Sequence, residues 1–215
     1  MDSLLNSIVE ELVEVINYFR KKELITDIML TNYEKCSKGS LHSILQYVLI
    51  VSGIKLGLAA IPEFKINFKT PLDPSKYISS KKRRIHFYKA DVGFIQVDGF
   101  KLVGIGEVYT IDMAHSCYKT GYTQSLDWIT ARIKLPYMLK NKDLPSAREI
   151  FVILLVTLPK NAQRRPKWKD QETILAGSSN YYEKFSSEWK KFTDEIRRSN
   201  PAKLVILTEK QTIIY

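Results

Sequence analysis

Cysteine is scarce in this chain. Cys36 and Cys117 are its two cysteines, far apart and with no CxxC near either, which excludes a cysteine-built zinc site and a four-cysteine iron–sulfur cluster. Reduced thiols in an intracellular compartment are the expectation. Histidine is nearly as sparse, and His86 and His115 have no consistent ligand spacing with each other. Long apolar runs are missing too: the longest, residues 44 to 61, is interrupted by Gln46, Tyr47, Ser52, Gly53 and Lys55, short of the ~20 apolar residues of a membrane span. The first twenty residues carry Asp2, Glu10, Glu11 and Glu14, against the basic start and apolar middle of a secretory signal. The expectation is an intracellular, cytoplasmic, soluble protein with no membrane partner. Acidic residues are outnumbered, 23 against 33 Lys and Arg, for a net charge of +10. That balance favours polyanionic partners without choosing among DNA, RNA and acidic lipid. No repeat, low-complexity tract or linker divides the 215 residues, a length that suits one domain with a real core.

What is present is a strong alternation of helix and strand signals. Leu4, Leu5, Ile8, Leu12, Val15, Ile16 and Phe19 recur at helical spacing, so residues 3 to 22 read as an amphipathic helix capped by Ser3. A second, more apolar helix is expected from Ser40 to about Gly57 or Ala60, stopped by Pro62. Strand signals follow at 64–68, 85–97 and 100–110, the last two joined by Asp98-Gly99, a pair that tolerates the positive φ of a tight hairpin turn. Residues 120–140 read as a helix with a kink at Pro136, and 148–158 as a buried strand. Residues 180–199 form another helix pattern ended by Asn200-Pro201, then 203–208 a buried strand, with QTIIY as an added edge. The order implies an α/β fold with a mixed central sheet flanked by helices, parallel where helices join the strands.

Asp91 is the odd residue in a strand of apolar and aromatic side chains, and Glu107 is the acidic residue of the next strand. They lie seven and eight residues from the Asp98-Gly99 turn, so both face one way only through a bulge or a diagonal relation. Two neighbouring carboxylates repel each other unless a divalent cation neutralises them, and their oxygens suit Mg²⁺ or Mn²⁺. Such a metal activates water and stabilises charge on a phosphodiester. The competing interpretation is two acids at solvated strand ends, paired with Lys89 and Lys101.

The string KADVGFIQVDGFKLVGIGEVYT resembles the central hairpin of the PD-(D/E)xK nuclease superfamily, in which an Asp opens one strand and a Glu-x-Lys closes the next. Asp91 matches the Asp, and Glu107-Val108-Tyr109 occupies the Glu-x-Lys. SKGSLHSIL (37–45) is similar to the first core helix of archaeal Holliday-junction resolvases, and to the helix bearing a metal-binding His in RecB-like nucleases. A family Glu would fall at Ser43, and His42 is one residue early for the family His. Gln124-x-x-x-Trp128 resembles the Gln-x-x-x-Tyr of the RecB-like helix.

These matches span about residues 37–130. They imply a restriction-endonuclease-like fold over 1–215 with its core at about 37–158, and a Mg²⁺- or Mn²⁺-dependent nuclease. Archaeal or archaeal-virus resolvase-like and RecB-like enzymes are the nearest in character. Asp91, Glu107, the Val108 carbonyl and His42 would hold metal, and Gln124 would orient the site. The substrate would be DNA, branched or single-stranded, or RNA, and the assembly a homodimer. Tyr109 stands where the family has Lys, and a phenol carries no positive charge. Lys89, two residues before Asp91, is the first substitute cation and Lys119 the second, and by the resemblance Lys89 or Tyr109 would assist the water. Lys81, Lys82, Arg83 and Arg84 precede the Asp91 strand, and Arg164, Arg165, Lys167 and Trp168 mark a second basic stretch with an aromatic that could stack on a base. The rival expectation is the same fold with a decayed site that binds nucleic acid or protein without cutting. A third is a basic interaction protein unrelated to nucleases.

Overall fold

Apolar residues at three- and four-residue spacing generate α1, Asp2–Lys21, whose Ile8, Leu12 and Ile16 are fully buried. The second helix, α2, is Lys38–Lys55. It ends earlier than Pro62 dictates: Gly57 adopts a left-handed φ of 74° just beyond it, and β1, Leu58–Leu72, begins at once. Pro62 is a strand residue, tolerated because β1 is an edge strand whose outer side needs no ladder donor. The hairpin strands follow as β2, Ile85–Gln96, and β3, Lys101–Thr110. Then come α3, Leu126–Lys140 with Pro136 inside it, a single 3-10 turn Ala147–Glu149, and β4, Phe151–Thr157. A helix over 186–197, α4, leads to β5, Ala202–Leu207, and the edge strand β6, Thr212–Ile214. This computed structural model describes residues 2–22, 38–73, 84–110, 126–140, 147–157, 186–208 and 211–215.

The strands form one six-stranded sheet in the order β1-β2-β3-β4-β5-β6. β1, β2 and β3 are antiparallel, β3, β4 and β5 parallel, and β6 antiparallel to β5. The fold is therefore α/β, with a mixed sheet flanked by helices. Leu5 and Ile8 of α1 and Leu45 and Leu49 of α2 cover one face, while Leu135 of α3 and Trp189 and Phe192 of α4 cover the other. Every side chain of β4 is buried, as its unbroken β-branched run requires of a strand covered on both faces. Among the described residues no helix is long and apolar enough to cross a membrane.

Two irregularities shape the sheet around Asp91 and Glu107. Ile95 pairs with Leu102 but Phe94 pairs with Gly104, so Val103 is an extra residue, a β-bulge that brings the register to Val92↔Gly106. The turn itself is wider than Asp98-Gly99: Gln96 pairs with Lys101, and the positive φ angles fall at Gly99 (84°) and Phe100 (51°).

The second irregularity lies in the β1–β2 ribbon. Leu58, Val92 and Phe94 pack under α1 and α2, but Ile66, Phe68, Tyr88 and Ala90 pack under α3 and α4. All are even-numbered, and a regular strand would keep them on one face. The change falls at Glu63 and Asp91, which drop out of the register between Pro62↔Val92 and Phe64↔Ala90, and Glu63 has a φ of 55°. The ribbon rolls over at that point.

Candidate functional site

Asp91 and Glu107 stand where β2 and β3 part. The ladder between the two strands ends at Val92↔Gly106, whereas β3 runs on beside β4 to Thr110↔Thr157. The Val103 bulge has removed the one-residue offset, so the next opposed positions in that register are Asp91 and Glu107. Asp91 takes over from the lost ladder: its Oδ2 accepts a hydrogen bond from the Val108 N–H at 2.7 Å. An antiparallel strand residue directs N–H and C=O to the same neighbour, so the Val108 carbonyl opens on the same fork.

The other Asp91 oxygen, Oδ1, lies 3.2 Å from His42 Nε2 on α2. One turn further along α2, Gln46 donates from Nε2 to the Asp91 carbonyl at 2.7 Å and to Glu63 Oε1 at 3.2 Å. His42 and Gln46 are four residues apart, the spacing that stacks two side chains on one helical face. Glu63 in turn holds the ammonium of Lys89. The kinked residue of β1 is thus tied to α2 and to β2 across the point where the ribbon rolls over.

Glu107 lies deeper, 5% exposed, while the Asp91 side chain is 17% and the His42 side chain 29% exposed. An ion arriving from solvent would meet Asp91 before Glu107. The buried Tyr88 hydroxyl donates to Glu107 Oε1 at 2.5 Å. Burial pushes the Glu107 carboxyl well above the ordinary carboxylate range. The charge of Asp91 and a side-chain hydrogen bond to it add to that rise, while the Tyr88 bond opposes it. Burial, and next the charge of Glu107, likewise raise the Tyr88 phenol well above its usual value. Of the two carboxyls, buried Glu107 is the one whose protonated form the site favours.

The donor set suits a hard cation. Two carboxylates this close repel each other, a condition that a divalent ion would relieve, and Mg²⁺ or Mn²⁺ favours oxygen ligands. His42 faces Asp91 through Nε2, so binding metal through that nitrogen would replace the existing contact. Among the described residues no three His, Cys, Asp or Glu side chains are grouped to hold a metal ion; the described carboxylates form a pair.

Tyr109 is 7% exposed, and its ring stacks on Trp189 of α4 with centroids 4.7 Å apart. Arg84 is exposed at the start of β2. Gln124, Lys81, Lys82, Arg83, Arg164, Arg165, Lys167 and Trp168, with Lys119, lie outside the described residues. Tyr88, Gln46 and Glu63 complete the site and had no place in the sequence motif. Gln46 carried one usable signal, its position four residues after His42 on an otherwise apolar helix. No family model, curated protein or solved structure matches the chain, so what the site can do has to follow from its own residues.

Proposed function

We propose that this protein is a metal-dependent nuclease that hydrolyses DNA phosphodiester bonds, built on a restriction-endonuclease-like version of its mixed sheet. The observation that carries this reading is the opposition of Asp91 and buried Glu107 at the fork between β2 and β3. Mg²⁺ or Mn²⁺ would be held by these carboxylates with the Val108 carbonyl as a further donor, and by His42 once its Nε2 had left Asp91, and would supply a Lewis acid for water and for the charge that develops on phosphorus. Asp91 is oriented by the Val108 N–H and, before a metal arrives, by His42, and Glu107 by the Tyr88 hydroxyl. Lys89, held on Glu63 beside the fork, is the cation nearest in sequence to Asp91, and Gln46 links that ion pair to the Asp91 backbone.

One feature favours a second reading, a nucleic-acid-binding module that no longer cuts. The lysine position of the motif is Tyr109, fixed against Trp189 in the core, and cannot supply positive charge to the reacting phosphate.

Incubation with branched, single-stranded and duplex DNA in Mg²⁺ or Mn²⁺ separates the two. Wild-type protein is expected to cleave at least one substrate, and Asp91→Ala and Glu107→Ala to lose at least about 100-fold in rate, the order seen when charge stabilisation of a transition state is removed. Absence of metal-dependent cleavage, or cleavage equal in all three proteins, rejects the enzyme. Retained DNA binding without cleavage selects the module.

A further inference from the structure

Beyond the point where the β1–β2 ribbon rolls over, Ile66, Phe68, Tyr88 and Ala90 enter the core, and the odd-numbered residues beside them look outward. Lys65, Asn67, Phe87 and Lys89 are exposed on that outer face, and Lys69 and Arg84 are exposed further along the ribbon. Lys65 and Lys89 are direct cross-strand partners, as are Asn67 and Phe87. Like charges placed opposite each other weaken a strand pair unless neighbouring groups compensate them. Against these cations stand Glu63, which holds Lys89, and Asp73 at the far end of β1. Phe87 is 40% exposed, a large apolar side chain among charges, and the Lys65 ammonium sits 4.5 Å from its ring centroid.

We propose that this outer face is the track on which an unpaired nucleic-acid strand lies as it enters the Asp91–Glu107 fork. The direction of travel rests on the nuclease reading; the binding does not. Along β2, Lys89 and Phe87 are two and four residues from Asp91, about 7 and about 14 Å at strand rise, so phosphates held here lead directly to the carboxylates. A phosphate that draws Lys65 off the Phe87 ring uncovers that ring for a base. Base stacking on an aromatic, combined with lysines along the backbone, is the chemistry of single-strand binding. In a duplex the bases are stacked on one another, so its phosphates can meet the lysines while no base reaches Phe87.

The test uses fluorescence anisotropy in EDTA with labelled oligothymidylate, a duplex of equal length and polyglutamate as an acidic polypeptide, over a series of salt concentrations. Wild-type protein is expected to bind oligothymidylate in preference to the other two. Lys65→Glu/Lys69→Glu should weaken that binding about 10-fold or more and flatten the salt dependence by about 0.7 in log–log slope for each phosphate no longer neutralised. Phe87→Ala should weaken oligothymidylate binding about 5-fold or more, the low end of the loss of one stacked base, and leave duplex binding unchanged. Far-ultraviolet circular dichroism checks that these surface variants are folded, and Lys65→Ala provides a milder second variant. Oligothymidylate binding that is unchanged in the variants, equal losses on single strand and duplex, or preferential polyglutamate binding overturns the proposal. These binding changes without any metal-dependent cleavage leave the track standing and reject the nuclease. Cleavage that needs Asp91 and Glu107 but ignores Lys65, Lys69 and Phe87 rejects the track alone.

Discussion

Glu107 is a carboxyl buried beside a second carboxylate, and both surroundings favour its protonated form. Burial first, and then the charge of Asp91, keep its folded-state value above the 4.5 of a free glutamate. A group that holds its proton more tightly in the folded chain stabilises the fold below its unfolded value and loses that contribution as pH rises through the folded one. Metal-free protein should therefore lose stability as pH is raised from about 4.5. Glu107→Gln preserves shape, still accepts from Tyr88 and cannot ionise. In EDTA it is expected to melt above wild type at neutral pH, with the gap closing near about pH 4, and thermal unfolding across pH measures this. A variant that melts below wild type at neutral pH refutes this account of Glu107. Asp91 and Glu107 were legible in the sequence because acids stand out in apolar strands. Tyr88 was not, since a tyrosine at an inward strand position looks like any core aromatic. Nor was Glu63, whose left-handed backbone leaves no compositional trace. Tyr109 was legible as a missing lysine, but its stacking partner Trp189 lies eighty residues away in sequence and no local pattern links them.

The β2–β3 hairpin combines a bulge, a wide turn and a fork, and each contributes separately. The bulge at Val103 determines that the two carboxylates oppose one another. The turn carries a cost: Phe100 has a φ of 51° and is 87% exposed, so it takes on left-handed strain while burying almost nothing. Phe100→Gly should raise unfolding stability by about 1 kcal/mol, read by urea denaturation, and a loss of stability would show that Phe100 contributes packing its exposure does not reveal. The sequence indicated the hairpin and the need for a bulge or diagonal, because seven against eight residues cannot face one way in a regular ladder. It could not say where the bulge lies, since Val103 is one β-branched residue among several. The boundary of α2 and β1 was misplaced for a related reason. The apolar run of 44–61 has no period that separates a buried helix from a strand, and Gly57 is a stronger stop signal than Pro62.

At the scale of the described residues, the molecule is a sheet with helices on both faces whose β2 and β3 part beside Asp91 and Glu107, next to a ribbon whose outer face carries lysines. The helix-strand order, the parallel strands reached through helices and the edge position of QTIIY all came from periodicity, because each buried face repeats at its own spacing. The rolling-over of the β1–β2 ribbon did not, because even-numbered residues stay apolar on both sides of the break. The +10 charge favours polyanionic partners without choosing one, and the structure adds a surface where part of that charge is concentrated beside the carboxylates. The function of that surface and of the fork turns on whether the carboxylate pair takes a metal. Calorimetric titration of wild type and Glu107→Gln with Mn²⁺ at neutral pH addresses that most directly. Wild type is expected to bind Mn²⁺ stoichiometrically, with heat that varies with the buffer as Glu107 gives up its proton to the solution, and Glu107→Gln to bind at least about 10-fold more weakly. No uptake by wild type, or equal uptake without proton release by both, would leave Asp91 and Glu107 as a buried acid pair and remove the basis for the nuclease.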